Sequence, residues 1–315
     1  MRLRLTLLLL PLVAVVPFAA AATTPPCQKA HTCPAPNHQY VWKGLVCATA
    51  AHAIKGVDTT LISFHGGHWR CHHAASYPLH TNIAATTFWV GEIFDGNIAD
   101  GSQVCSTYDS NWAYHYSGVN DGPAPKGTDC AGAPEGGCDG VSSGPTQCST
   151  QVRTAANGYF PTDMKPKENP FYLDLPFDDI NDPTAYAERC KVIPWASQFP
   201  ASDCTNQNFS YMKNHWVRLI GPNGKSCYGQ VEDAGPSHDN LYHDAAYVFG
   251  SKNVQPIQGQ FNNAGLDVSP ALNGCLGFKE LDGDQDRVAW QFVDAPRVPA
   301  GPWKKLVTTQ PVDEN

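Results

Sequence analysis

The stretch "GLDVSPALNGCLGF", residues Gly265 to Phe278, places one carboxylate, Asp267, inside an apolar segment just ahead of a short helical pattern. Ser269 has the position of a helix N-cap and Pro270 that of the first helical residue. Two explanations for the carboxylate are open. A partly desolvated Asp267 would hold a proton near neutral pH and could donate it. Alternatively, Asp267 caps the helix or binds loop amides.

A second acidic motif, "EDAGP" (Glu232 to Pro236), ends a β-rich segment some thirty residues earlier. The preceding sequence has aromatic and β-branched residues on both sides of "GPNGK". This pattern predicts a hairpin of Trp216 to Ile220 with Cys227 to Glu232, closed by Asn223-Gly224.

Further short β-rich segments are "NPFYLDLPF" and "RVAWQFVD", and "HDAAYVFG" could form one or two helical turns. Neither an internal repeat nor a βαβ series is present. We therefore expect a mainly β fold, a barrel that occupies about residues 81–303, followed by a tail at 304–315. Residues 96–167 are rich in Gly, Pro, Ser and Asp, which predicts a long loop insertion held by Cys130, Cys138 and Cys148. The core should come from outside this insertion.

The N-terminus combines Arg2 and Arg4 with an apolar run and four alanines, the pattern of a secretory signal cleaved near Ala21 or Ala22. Its apolar run is shorter than the roughly 20 residues that a membrane-spanning helix needs. We assign residues 1–22 to a signal peptide and expect a secreted, extracellular protein. Residues 23–80 form a Cys/His-rich extension, in which "TTLISFHGGHW" (Thr59 to Trp69) is the clearest strand candidate.

Cysteine number and charge narrow the class of protein further. The chain of 315 residues has 12 cysteines, an even number that favours disulfides in an exported protein, although their pairing cannot be read from their order. Once Arg2 and Arg4 are removed from the 21 basic residues, 29 acidic residues leave a formal charge of −10. This excess argues against nucleic acid or an anionic membrane as partner. A neutral polymer or a small ligand fits better.

The paired acidic motifs resemble those of the double-psi β-barrel superfamily. It includes rare lipoprotein A-like lytic transglycosylases, expansins, barwin-type proteins and endoglucanases of glycoside hydrolase family 45. The resemblance rests on "EDAGP" and "LDVSPAL" and covers about 90 scattered residues. It implies a six-stranded double-psi barrel with long disulfide-linked loops. "TFWVGE" (Thr87 to Glu92) then looks like the first barrel strand, followed by "NPFYLDLPF", "WVRLI" and "VAWQFVD".

The resemblance also implies catalytic roles. Asp267 matches the family's proton donor to a glycosidic oxygen, and Asp233 matches the acidic residue across the groove. Lipoprotein A-like members usually have Arg after this second Asp, whereas this chain has Ala234, so Asp233 could instead form the turn before Gly235. Family 45 enzymes take their base from the first strand, where Glu92 is the nearest candidate, together with Asp95.

Aromatic side chains could bind sugar rings, although most should lie in the core. As substrate-binding residues we select Trp89, Tyr228 and the acidic Glu232. Other candidates for a platform are Trp112 and Trp195.

Two sequences suggest metal sites, and neither is adopted. "HGGHWRCHH" offers His65, His68, Cys71, His72 and His73, but the spacing fits no closed site and Cys71 is better explained by a disulfide. "DGDQD" begins like a calcium loop but has Arg287 where an EF-hand needs Gly, so a hairpin turn is favoured. We expect no cofactor and no bound metal.

The expected function is therefore cleavage of a glycosidic bond in a cell-wall polysaccharide, a cellulose-like glucan or peptidoglycan, by carboxylate acid/base chemistry. The protein would be a glycoside hydrolase or a lytic transglycosylase that acts as a monomer. The alternative is a non-catalytic barrel, expansin-like or barwin-like, that binds a polysaccharide or a protein.

Overall fold

The computed structural model describes residues 40–43, 62–65, 68–71, 77–93, 103–124, 130–134, 136–142, 148–237, 241–257 and 261–313. The chain divides into two compact units, Met1–Ala74 and Ala75–Asn315. The predicted signal peptide, residues 1–22, lies outside the described residues, and the candidate Asp95 does as well. Within the described part of the chain, no helix is both long and apolar enough to cross a membrane.

The first unit contains three short strands, β1 (Tyr40–Lys43), β2 (Ile62–His65) and β3 (His68–Cys71). Both β1 and β2 pair with β3 in antiparallel orientation, and the register pairs His65 with His68. The predicted single strand from Thr59 to Trp69 is therefore wrong in its extent. Its residues contribute to two strands that pair with each other.

The second unit is built around a closed barrel of six strands. In chain order the barrel strands are β4 (His80–Thr87), β7 (Tyr172–Leu175), β8 (Trp216–Ile220), β9 (Ser226–Ala234), β10 (Ala264–Val268) and β11 (Arg287–Val293). Around the barrel their order is β10, β4, β11, β8, β9 and β7. The pairs β10 with β4 and β7 with β9 are parallel, and the other pairs are antiparallel. The expectation of a mainly β protein with a six-stranded barrel is confirmed.

The first barrel strand is β4, and the prediction that "TFWVGE" forms it is wrong. Strand β4 ends at Thr87, and the chain then enters a turn at Val90 and Gly91. Phe88 leaves the barrel because its ring packs against Trp112 and Tyr172, with centroids 6.1 and 5.3 Å away. Aromatic residues that resemble a strand in sequence are here part of a second apolar cluster.

The predicted hairpin between β8 and β9 is confirmed, with Trp216 opposite Gln230 and Ile220 opposite Ser226. Its loop places Gly224 in the left-handed region, at φ 74°. The helix predicted after Asp267 is also confirmed as α4 (Pro270–Leu276), because the Ser269 side chain accepts a hydrogen bond from the amide of Leu272.

Apolar side chains from all six strands fill the barrel. Each fully buried Leu or Val contributes roughly 1.5–3 kcal/mol relative to an exposed position. The buried core residues on these strands include Ile83, Leu173, Val217, Val231, Leu266 and Trp290. Trp195 belongs to the same core, so it cannot serve as an open sugar platform.

The insertion between β4 and β7 holds a core of its own, contrary to the expectation that it is only loop. It contains helix α1 (Trp112–Ser117) and the two-residue strands β5 (Val141–Ser142) and β6 (Cys148–Ser149). Trp112 and Tyr116 pack against Phe88, Val90 and Tyr172. Trp112 is thus a core residue as well.

Two further α-helices and several short 3-10 helices lie in the second unit. Helix α2 (Pro183–Val192) follows the cap Asp182, and helix α3 (Ala245–Val248) occupies the predicted helical turn after the cap Asp244. Four disulfides cross-link the second unit, which indicates folding in an oxidising compartment. They are Cys105–Cys130, Cys138–Cys148, Cys190–Cys204 and Cys227–Cys275. The pairing of Cys27, Cys33, Cys47 and Cys71 lies outside what the structure describes.

Candidate functional site

Three aspartates lie on three neighbouring strands of the barrel. Val268 on β10 pairs with Leu173 on β7, which places Asp267 opposite Asp174. Asp174 in turn pairs with Asp233 on the parallel strand β9. The barrel topology therefore brings together two acidic motifs that are separated in sequence, with a third aspartate between them.

Asp267 lies at the centre of the candidate site and is half-buried. Its backbone amide donates a 2.8 Å hydrogen bond to Oδ1 of Asp174. Its own Oδ1 is buried and accepts no hydrogen bond from the described residues. The helix cap is Ser269, so capping does not explain this carboxyl. Asp267 is available for another role.

The surroundings of Asp267 favour its protonated form. Burial raises its pKa to about 7, and the nearby charge of Asp233 adds to this effect. A carboxyl with such a pKa is protonated in a substantial fraction of molecules at neutral pH. This is the property required of a general acid.

Asp174 was not among the residues selected from the sequence, although "LDL" (Leu173 to Leu175) repeats the apolar-Asp-apolar pattern of "LDV". Its side chain is buried, and burial together with the charges of Asp267 and Asp233 raises its pKa well above the usual range. Its protonated form is therefore favoured. A Cβ at Gly235 would lie 2.5 Å from Asp174 Oδ2, so a larger residue there would displace this carboxyl.

Asp233 is buried but surrounded by donors. Its Oδ1 accepts hydrogen bonds from the amides of Thr107 and Ala234, both at 2.8 Å, and its Oδ2 accepts one from the side chain of Gln103. Burial raises the pKa of Asp233 to about 7, while these donors lower it. Because it has more donors than its two neighbours, Asp233 is the best candidate for the charged member of the group.

The segment from Gln103 to Thr107 links the insertion to the barrel at this point. The amide of Gln103 donates to the carbonyl of Glu92 at 2.8 Å, and the Thr107 hydroxyl donates to Asp178. Between them, Cys105 is held by its disulfide to Cys130. None of these contacts could be read from the sequence, because each joins distant segments.

Glu92 lies close enough for its charge and that of Asp267 to interact. Its Oε2 accepts a 3.2 Å hydrogen bond from the amide of Trp89. Burial, together with the charges of Asp282 and Asp267, raises the pKa of Glu92 to about 8 against the lowering effect of the hydrogen bond from Trp89. The structure therefore brings Glu92 into the neighbourhood of Asp267 as a group that holds its proton at pH 7. Trp89 is half-buried in the same turn.

Tyr242 is a further neighbour that the sequence did not indicate. Burial raises the pKa of its phenol, as do the charges of Asp233 and Asp174. Its ring is half-buried, so a phenol lies beside the carboxyl groups.

The other two residues selected from the sequence have different surroundings. Glu232 forms a buried ion pair with Lys213, with 3.2 Å between Oε2 and Nζ. Tyr228 packs against Trp303, with ring centroids 5.0 Å apart. Tyr228 and Asp233 are five positions apart, roughly 16 Å along the strand. Neither side chain has a contact with Asp267.

One group of three possible metal ligands occurs among the described residues, namely Asp109, His115 and Asp313. It does not include any of the three strand aspartates. The raised pKa of Asp267 and the donors around Asp233 give the strand aspartates a proton donor and a candidate negative charge.

Comparison with known proteins gives no relative: no family model, no curated protein and no solved structure matches this chain.

Proposed function

We propose that this chain belongs to the secreted double-psi β-barrel superfamily and cleaves a glycosidic bond in a cell-wall polysaccharide, with Asp267 as the proton donor. The closed six-stranded barrel and its four disulfides support the superfamily and an extracellular site of action. The observation that carries the activity is the arrangement of Asp267, Asp174 and Asp233 on adjacent strands.

In the proposed reaction the Asp267 carboxyl gives its proton to the glycosidic oxygen. The bond between this oxygen and the anomeric carbon breaks, and its electron pair stays on the oxygen. Positive charge develops on the sugar ring, and the Asp233 carboxylate stabilises it. A water molecule then adds to the anomeric carbon and gives a proton to Asp233.

We assign the second carboxylate to Asp233 and not to Glu92. Three donors favour the ionised form of Asp233, whereas Glu92 accepts one hydrogen bond and has a pKa of about 8. Strands β9 and β10 flank β7, so their backbones are separated by two strand spacings, roughly 9–10 Å. Because water adds directly to the anomeric carbon in this assignment, we propose that the reaction inverts the configuration there.

A non-catalytic, expansin-like barrel is the second candidate, and one observation favours it. Both oxygens of Asp233 already accept hydrogen bonds from the protein, as expected of a structural carboxylate. In that case Asp267 would bind a sugar hydroxyl without transferring a proton.

Incubation of the purified protein with cellulose, mixed-linkage glucan, chitin and peptidoglycan separates these functions. Soluble oligosaccharides seen by mass spectrometry would establish cleavage, and an anhydro end would identify a lytic reaction. Binding to one polymer without any product would support the expansin-like function and contradict the proposed chemistry.

A further inference from the structure

A second group of titratable side chains begins two residues after Thr107, where the C-terminal tail meets helix α1. Ligand atoms of Asp109, His115 and Asp313 all lie within 4.8 Å of one another. The Asp109 side chain is fully buried, whereas those of His115 and Asp313 are 23% and 39% exposed. The group therefore has one buried anchor and an edge open to solvent.

The imidazole of His115 lies between the two carboxylates, with its Nε2 3.9 Å from Oδ2 of Asp313. Its Nδ1 lies 2.8 and 3.0 Å from the two oxygens of Asp109 and 3.1 Å from Nε2 of Gln310. One ring nitrogen cannot donate to a carboxylate and also accept from an amide. Rotation of the Gln310 amide, which presents its oxygen to Nδ1, removes the conflict, and the lone pairs of one ring nitrogen and of both carboxylates are then the donors that a cation would use.

We propose that Asp109, His115 and Asp313 form a binding site for a divalent transition-metal ion of the Zn²⁺ or Mn²⁺ class. An imidazole nitrogen combined with carboxylate oxygens suits these ions. Ca²⁺ and Mg²⁺ prefer sites made of oxygen alone.

The bound ion would fasten the C-terminal tail to the insertion. The amide of Asp313 donates to the carbonyl of Tyr108, and the amide of Ser110 donates to the carbonyl of Asp313, both at 2.9 Å. An ion held from both sides would stabilise the folded chain, since a ligand that binds only the native state raises its stability. This role does not depend on the reaction proposed for Asp267.

The test measures metal binding by untagged, chelator-treated protein, with ZnCl₂ and MnCl₂ as separate titrants in calorimetry and elemental analysis of the dialysed protein. The His-rich N-terminal segment could bind ions of its own, so the readout is the difference between the wild type and its variants. We expect His115→Gln and Asp313→Asn each to bind one ion fewer, or to bind it about a hundredfold more weakly.

A matched control is His243→Gln. His243 Nδ1 lies 2.7 Å from Oδ2 of Asp182, another histidine–carboxylate pair, but among the described residues no second carboxylate completes a group of three there. This variant should bind metal as the wild type does. The thermal midpoint of each variant, measured in chelator, shows whether it is folded. Equal metal binding by the wild type, His115→Gln and Asp313→Asn would overturn the proposal. A loss of metal binding in His243→Gln as large as that in His115→Gln would also overturn it.

Discussion

The backbone amide of Asp267 donates a 2.8 Å hydrogen bond to Oδ1 of Asp174, so a carboxyl group that the sequence did not single out positions the proposed proton donor. Burial and the charges of two neighbouring aspartates raise the pKa of Asp174 well above its usual range, which favours its protonated form. An asparagine has nearly the same shape and keeps the accepting oxygen. The aspartate at this position is thus required as an acceptor and not as a charge.

Replacement of Asp174 tests this role. We expect Asp174→Asn to change the free energy of unfolding by less than about 1 kcal/mol at pH 7, whereas Asp174→Leu should cost roughly 1–3 kcal/mol because the buried amide of Asp267 loses its acceptor. Urea denaturation of both variants measures the difference. An asparagine variant as unstable as the leucine variant would show that Asp174 is needed as an anion.

Gln103 should control the pKa of Asp233. Replacement by leucine removes a donor to Oδ2 and therefore raises the pKa of Asp233. If Asp233 must be ionised for cleavage, the acid limb of the pH–rate profile moves to higher pH by roughly one unit. Gln151→Leu is the control, since its amide donates to the exposed Asp163 at 2.5 Å. An unchanged profile in Gln103→Leu would remove Asp233 from the reaction.

The raised pKa of Asp267 has a consequence for stability. The folded chain binds this proton more tightly than the unfolded chain does, so the stabilising contribution is complete below about pH 4 and is lost as the pH rises to about 7. Asp267→Asn cannot ionise. Relative to the wild type, this variant should therefore gain about 2–4 kcal/mol between pH 4 and pH 8.

The measurement is a comparison of urea denaturation curves for the wild type and Asp267→Asn at both pH values. The difference between the two proteins cancels the titrating groups that do not interact with Asp267. Buried His80 and half-buried His215, for example, have lowered pKa values and act in the opposite direction at low pH. A pH-independent difference between the two proteins would contradict the assigned pKa.

The ion pair of Lys213 with Glu232 should be structural. Lys213→Met leaves a buried carboxylate without its partner, which costs about 3–5 kcal/mol. The exposed Lys279 provides the control, since Lys279→Met should stay within about 0.5 kcal/mol of the wild type. Chemical denaturation compares the two. A stable Lys213→Met variant would free Glu232 for the substrate-binding role suggested by the sequence.

Local patterns predicted several elements of the fold correctly. Ser269 and Pro270 marked the start of helix α4, and Asn223-Gly224 marked the β8–β9 hairpin, because caps and turns depend on residues close in sequence. Helix α2 carried a similar signal, with Asp182 as cap and Pro183 at its first position, and could have been predicted from it.

Other features depend on contacts between distant segments. The sequence predicted the first barrel strand too far along the chain, because Phe88 and Val90 resemble strand residues. In the structure both residues pack against the helix of the insertion. The metal ligands proposed above form no recognisable motif, since Asp109 and Asp313 are 204 positions apart. Such pairings require the folded chain.

For the candidate site, the two motif aspartates and Glu92 could be proposed from the sequence, whereas their order across the barrel could not. Asp174 had the same pattern as Asp267, but an isolated "LDL" does not reveal which strand lies beside it. The three aspartates lie close together because β7 pairs with both β10 and β9.

The most direct test of Asp267 as proton donor compares wild type, Asp267→Asn and the exposed-site control Asp163→Asn on two substrates. One is the polysaccharide that the wild type cleaves, and the other is a dinitrophenyl oligosaccharide whose leaving group needs no proton. We predict that Asp267→Asn loses about 10²–10⁴-fold of the rate on the polysaccharide and far less on the activated substrate, while Asp163→Asn loses neither. Full activity of Asp267→Asn on the polysaccharide, or equal losses on both substrates, would contradict the account.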